Sequence, residues 1–116
     1  MPRPIRARLQ DIADAIIHLD RLLAARSAAD LAADPIAVAA FERFLEIISE
    51  ASRHVPEAWK AEHPEIPWRR VADLGNWLRH AYQNVDAQLL WELYVEDIPP
   101  LKLAVIRLLT RPTDAN

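Results

Sequence analysis

Apolar residues recur at helical spacing along nearly the whole chain. Ile5, Leu9, Ile12, Ile16, Leu19 and Leu23 repeat every three or four residues, a seam that predicts one long amphipathic helix over about 5–25. Arg6, Gln10, Asp14 and Arg21 fall away from it. The alanine-rich stretch 27–33 reads as a connection or a short helical turn. Asp34-Pro35 then starts a helix, with Asp as N-cap and Pro in the first turn. Over about 35–54 the expected core face is Ala37, Phe41, Phe44, Ile48, Ala51 and Val55, with Glu42, Glu46, Glu50 and Arg53 outside. Pro56 opens a short helix that the prolines at 64 and 67 interrupt. Pro67 is in turn the first position of an amphipathic helix over 68–86. Its apolar face is Val71, Leu74, Leu78, Ala81 and Val85, and its polar face is Arg69, Asp73, Asn76, His80 and Gln83. Asp86 caps a further helix that ends before Pro99-Pro100. The last helix, from Leu101 to Thr110, is apolar nearly all round. A helix of that kind is buried on more than one side, and in a chain this small a partner subunit is expected to cover part of it.

The expected fold is all-α: an antiparallel bundle of four main helices with one or two short extra ones, in a single domain over 1–116 with a loose tail at about 111–116. Composition supports this. There is one glycine against nine prolines, and the chain holds no Asn-Gly, Asp-Gly or Gly-Gly pair for tight strand turns. The net charge of −3 in 116 residues argues against wholesale wrapping of nucleic acid but permits a small basic groove. Lack of cysteine removes disulfides, thiolate nucleophiles and Cys-ligated metals. No apolar run reaches the ~20 residues of a membrane span, so a soluble, cytoplasmic protein is expected.

The polar face of the 68–86 helix carries the candidate chemistry. An imidazole can give and take a proton near neutral pH. Asn76 stands one turn before His80 and Asp73 one turn further, so the stripe could orient that imidazole or simply be a solvated flank. Tyr82 points ~200° away from His80 on an ideal helix. The two can share a site only if the helix loosens or a second subunit crosses there; otherwise Tyr82 is a core-edge tyrosine. His18, His54 and His63 read as structural. Glu42, Glu46 and Glu50, with Arg43 and Arg53 close by, read as a salt-bridged outer face. Trp59, Trp68, Trp77 and Trp91 read as core or interface anchors. No HxH, HxxxH or HExxH spacing occurs and one glycine cannot build a phosphate loop, so no metal and no cofactor are expected.

Several stretches, in order from about Ile5 to Leu109, resemble the HepT-like branch of the HEPN superfamily. They are IISEASRHV with Glu50-Ala51; HPEIPWRRV; the run Gly75-Asn76-Trp77-Leu78-Arg79-His80-Ala81-Tyr82 against a pattern close to R-N-x-L-x-H-x-Y; and NVDAQLLWELYVEDIPPL. The resemblance implies a small helical homodimer whose signature helices meet at the interface. It implies a metal-independent ribonuclease, the toxin of a type VII-like toxin–antitoxin pair, neutralised by a minimal nucleotidyltransferase antitoxin that adds AMP to the motif tyrosine. Carried over, His80 is the catalytic histidine, Tyr82 the AMP acceptor and Asn76 a supporting residue. The chain departs from the pattern at Gly75, where the family has the arginine whose fork would hold the scissile phosphate. Arg79, one turn later on the same face, could reach back over the gap, since helical side chains lean toward the N-terminus. Alternatively Arg79 is a surface charge and Gly75 lets two helices approach closely. The corresponding functions are a ribonuclease toxin, a nucleotide- or partner-binding subunit that lost cleavage with the arginine, or a plain helical scaffold.

Overall fold

A computed structural model describes residues 3–81 and 86–111, so Tyr82, Gln83 and Val85 lie outside the described residues. Within them the protein is all-α: α1 (Ile5–Leu23), α2 (Ala28–Ala32), α3 (Pro35–Ser52), α4 (Glu57–Lys60), α5 (Trp68–Ala81), α6 (Ala87–Glu96) and α7 (Ile98–Leu109). α3 is the central element and packs on α1 and on α5, while α7 lies along α1 and α6 bridges α2 and α7.

Local chemistry sets the boundaries. α1 stops at Leu23, the last residue of the seam and two short of the expected helix end, because the chain turns at Ala25, whose φ is 60°. The stretch 27–33 forms a short helix closed by a capping box: Ser27 Oγ accepts from the Asp30 N–H and the Asp30 carboxylate accepts from the Ser27 N–H. Asp34 caps α3 through the N–H groups of Ile36 and Ala37, both at 3.1 Å. Its hydrogen bond from Arg26, then the cap bond from Ala37, hold its carboxyl below the usual range. α7 begins at Ile98 rather than Leu101. Pro99 and Pro100 fall in its first turn, where no intrahelical N–H is required.

The seam of α1 is buried as expected from Leu9 to Leu23. On α3 the core position is Leu45, fully buried, rather than its neighbour Phe44. Phe44 is half-buried and stacks on His18, with ring centroids 5.2 Å apart. One residue on a helix is a turn of ~100°, and here the face that meets both α1 and α5 is centred between the two. Trp59 and Trp68 are core residues, and the Trp68 Nε1–H is shared between the carbonyls of Lys60 and His63 at 3.1 and 3.0 Å. Asp20 fastens three helices: Tyr94 Oη of α6 donates to it at 2.7 Å and Lys102 Nζ of α7 at 2.9 Å. Burial, then the Asp20 carboxylate, push the Tyr94 hydroxyl up to about 12. α7 buries Ile98, Leu101, Ala104, Val105 and Leu108 and leaves Leu103 and Ile106 half-exposed.

Candidate functional site

α5 lies close against α3 because of one serine and one glycine. Ser49 of α3 is buried, and its Oγ donates to the Ala72 carbonyl at 2.8 Å and accepts from the Gly75 N–H at 2.9 Å. Arg53 Nε donates to the same Ala72 carbonyl at 3.0 Å. A Cβ on Gly75 would stand 3.2 Å from Ser49 Oγ, and 3.5 Å from both Ser49 Cβ and Arg79 Nη1. At Gly75 the missing side chain thus lets the two helices approach, and the Arg79 guanidinium lies over the same position.

The tight contact makes a stability prediction. Gly75→Ala gains roughly 1 kcal/mol of helix propensity but pushes on a hydroxyl bonded on both sides, at an overpacking cost of about 1–3 kcal/mol. A net loss is expected. With Ser49→Ala in place the nearest α3 atom is the 3.5 Å Cβ, an ordinary contact, and Gly75→Ala should then stabilise by up to about 1 kcal/mol. Denaturant titration of the four proteins measures the difference. Equal effects of Gly75→Ala in both backgrounds would contradict this packing.

Arg79 and Gly75 line a cavity of about 340 Å³ between α1, α3 and α5. Four more arginines face it: Arg3 just before α1, Arg8 on α1, Arg43 on α3 and Arg53 just past its end. The glutamates of α3 pair as expected of an outer face, Glu46 with Arg43 at 3.9 Å and Glu50 with Arg53 at 3.8 Å and His54 at 3.3 Å. Glu42 and Glu46 flank a second cleft with Leu78 and Arg79. Burial, then the charge of Glu46, raise the Glu42 carboxyl. Arg3 and Arg8 are lining residues that helical spacing does not single out. Their signal is the basic run at the start of the chain, which helical spacing alone does not connect to residue 79.

His80 stands on the exposed crest of α5, beside the cavity rather than in it. Its Nδ1 is 2.8 Å from the Asn76 carbonyl oxygen. A carbonyl can only accept, so Nδ1 carries the hydrogen and the neutral ring keeps its lone pair on Nε2. The backbone of Asn76, not its amide, is thus what orients the imidazole. Asp73 lies two turns back, at the edge of an apolar groove of about 370 Å³ with Leu74, Trp77, Leu89 and Leu93. The structure therefore brings Arg79 against Gly75 and bonds His80 to the Asn76 carbonyl, has Asp73 lining the apolar groove rather than the arginine cavity, and does not describe Tyr82.

A sequence model described as ribonuclease HepT-like matches residues 12–108. The chain belongs to the HepT-like family. It is 42% identical over 102 residues to "Probable ribonuclease HepT" of Thermococcus cleftensis, covering 88% of this chain and 93% of that protein. It is 34% identical over 82 residues to "Putative RNase TTE0752" of Caldanaerobacter subterraneus, 71% of this chain and 73% of the relative. With "Putative RNase MJ1380" of Methanocaldococcus jannaschii the identity is 41% over 63 residues, 54% and 58% of the two chains. No solved structure matches significantly. Among the described residues no three His, Asp or Glu side chains converge as metal ligands, and no helix is long and apolar enough to cross a membrane.

Proposed function

We propose that this HepT-like chain is a metal-independent endoribonuclease acting as a homodimer in the cytoplasm, the toxin of a pair in which a minimal nucleotidyltransferase silences it by adding AMP to Tyr82. The observation that carries the reading is the placement of the Arg79 guanidinium over Gly75, next in sequence to a histidine whose bonded Nδ1–H leaves the ring's lone pair on Nε2. RNA supplies its own nucleophile. His80 Nε2 takes the proton of a 2′-hydroxyl, O2′ attacks the adjacent phosphorus, and Arg79 holds the charge that builds on the phosphorane oxygens. The P–O5′ bond breaks, O5′ takes a proton from water, the hydroxide so formed takes back the proton held on His80 Nε2, and a 2′,3′-cyclic phosphate and a 5′-hydroxyl result.

The groove formed by Leu74, Trp77, Leu89 and Leu93 supports a dimer, since an open apolar concavity beside a polar stripe suits a second copy. Leu89 is 42% exposed, so Leu89→Asp should fold, run as a monomer in light scattering and cleave poorly. A dimer that survives the carboxylate would place the interface elsewhere.

The reading is tested by RNA cleavage in excess EDTA, and by intact mass after co-purification with the nucleotidyltransferase and ATP. An AMP adduct absent from Tyr82→Phe is the expected result. Gly75 itself favours a second reading, a nucleotide- or partner-binding subunit that no longer cleaves. Growth arrest on expression that persists in His80→Ala would select it.

A further inference from the structure

The cavity beside Arg79 holds more positive charge than a single phosphate contact needs. Five arginines face three carboxylates, Asp11, Glu46 and Glu50, an excess of two positive charges on a chain whose net charge is −3. Such a concave basic spot on an acidic protein focuses the field on an anion. The pairings inside it are uneven. Arg3 is held by Asp11, whereas Arg43 and Arg53 meet Glu46 and Glu50 only at 3.9 and 3.8 Å. Arg8 and Arg79 form no ion pair among the described residues, and Arg8 Nε is buried with no hydrogen-bond acceptor. Arg6 Nε and Arg111 Nε, away from the cavity, are likewise buried without an acceptor; Arg8 is the one of the three that lines it.

We propose that this cavity is a subsite for an RNA backbone phosphate next to the scissile one, contacted by Arg8 and Arg43, with Arg79 at the boundary between the two. The inference rests on the ribonuclease reading for the word scissile, but the phosphate chemistry stands on the cavity alone. Two features select a strand over a free nucleotide. Among the described residues no aromatic side chain lines the cavity as a platform for a base, and backbone contacts position a strand without reading its sequence. The three carboxylates leave room for the single charge of a phosphodiester and oppose a triphosphate.

The test uses a 2′-O-methyl oligoribonucleotide, which lacks the nucleophile and cannot be cleaved, with binding followed by fluorescence anisotropy across a salt series. Arg8→Gln and Arg43→Gln are each expected to weaken binding roughly 3- to 10-fold at low salt. Each should also flatten the slope of log K against log salt by about 0.7, the single-strand value for one phosphate contact. The Arg43 side chain is 69% exposed, so that variant is not at risk of misfolding, and a thermal melt checks Arg8→Gln. Wild-type affinity and slope in both variants would overturn the subsite. Arginine-dependent binding of ATP with none of the oligonucleotide would overturn its assignment to a strand. Failure of the wild type to cleave RNA, with arginine-dependent oligonucleotide binding intact, would remove the ribonuclease reading and leave the phosphate site standing.

Discussion

His80→Ala is expected to lower RNA cleavage by about 10²–10⁴-fold, the usual contribution of a positioned acid–base group. Stability should stay within about 0.5 kcal/mol of wild type, because the side chain is on the exposed crest of α5 and supports no packing. The loss is specific to the ring atom. Nδ1 is occupied by the Asn76 carbonyl at 2.8 Å, which leaves Nε2 as the only position able to accept a proton. The same bond makes a contrasting prediction for Asn76→Ala. The carbonyl is main chain and survives the substitution, so the imidazole keeps its orientation and most of the activity should remain. Initial rates on a defined RNA, with melting curves on each protein, measure both. Wild-type cleavage by His80→Ala would take the imidazole out of the reaction. A loss in Asn76→Ala as deep as that in His80→Ala would mean that the amide itself, not the carbonyl, acts in the site.

The bundle was legible in the sequence because its signals are local and redundant. Asp34-Pro35, Pro56, Pro67 and Asp86 each mark a helix start by their own chemistry, and the α1 seam repeats often enough to define its face. Boundaries slipped where a single residue decided them: Ala25 bends the chain out of α1, and the two prolines before Leu101 belong to the first turn of α7 rather than ending its predecessor. The Phe44 position slipped because α3 serves two neighbours and its buried arc is wider than one stripe. Of the candidate site, the helix that carries it was legible: Gly75, Arg79 and His80 are close in sequence, and helical spacing sets their positions on α5. The role of Ser49 was hidden, since nothing local distinguishes a serine that bonds to the backbone of another helix from one that faces water. Arg8 was hidden for a related reason. It reaches the cavity only through the packing of α1 on α3, a contact that no spacing rule within one helix can show.

Arg79→Ala is expected to lower cleavage by about 10²–10³-fold, the scale on which removal of one donor to a developing oxyanion acts. Arg79→Lys should restore little, because an ammonium cannot present the paired N–H groups of a guanidinium to a phosphate. The informative experiment moves the arginine back. Gly75→Arg alone should fail twice over: its Cβ would crowd Ser49 Oγ at 3.2 Å, and its side chain would leave along the direction that Arg79 Nη1, 3.5 Å away, already fills. Removing both obstacles changes the expectation. In a protein carrying Ser49→Ala and Arg79→Ala, Gly75→Arg has a free path to the same spot and should recover a large part of the activity lost with Arg79. Recovery in the triple variant, without recovery when Arg79→Ala is paired with Ser49→Ala alone, would show that the reaction needs a guanidinium at that place, whichever turn of α5 supplies it. No recovery, with the triple variant folded, would mean that Arg79 acts from its own position on α5 and does not stand in for an arginine at position 75.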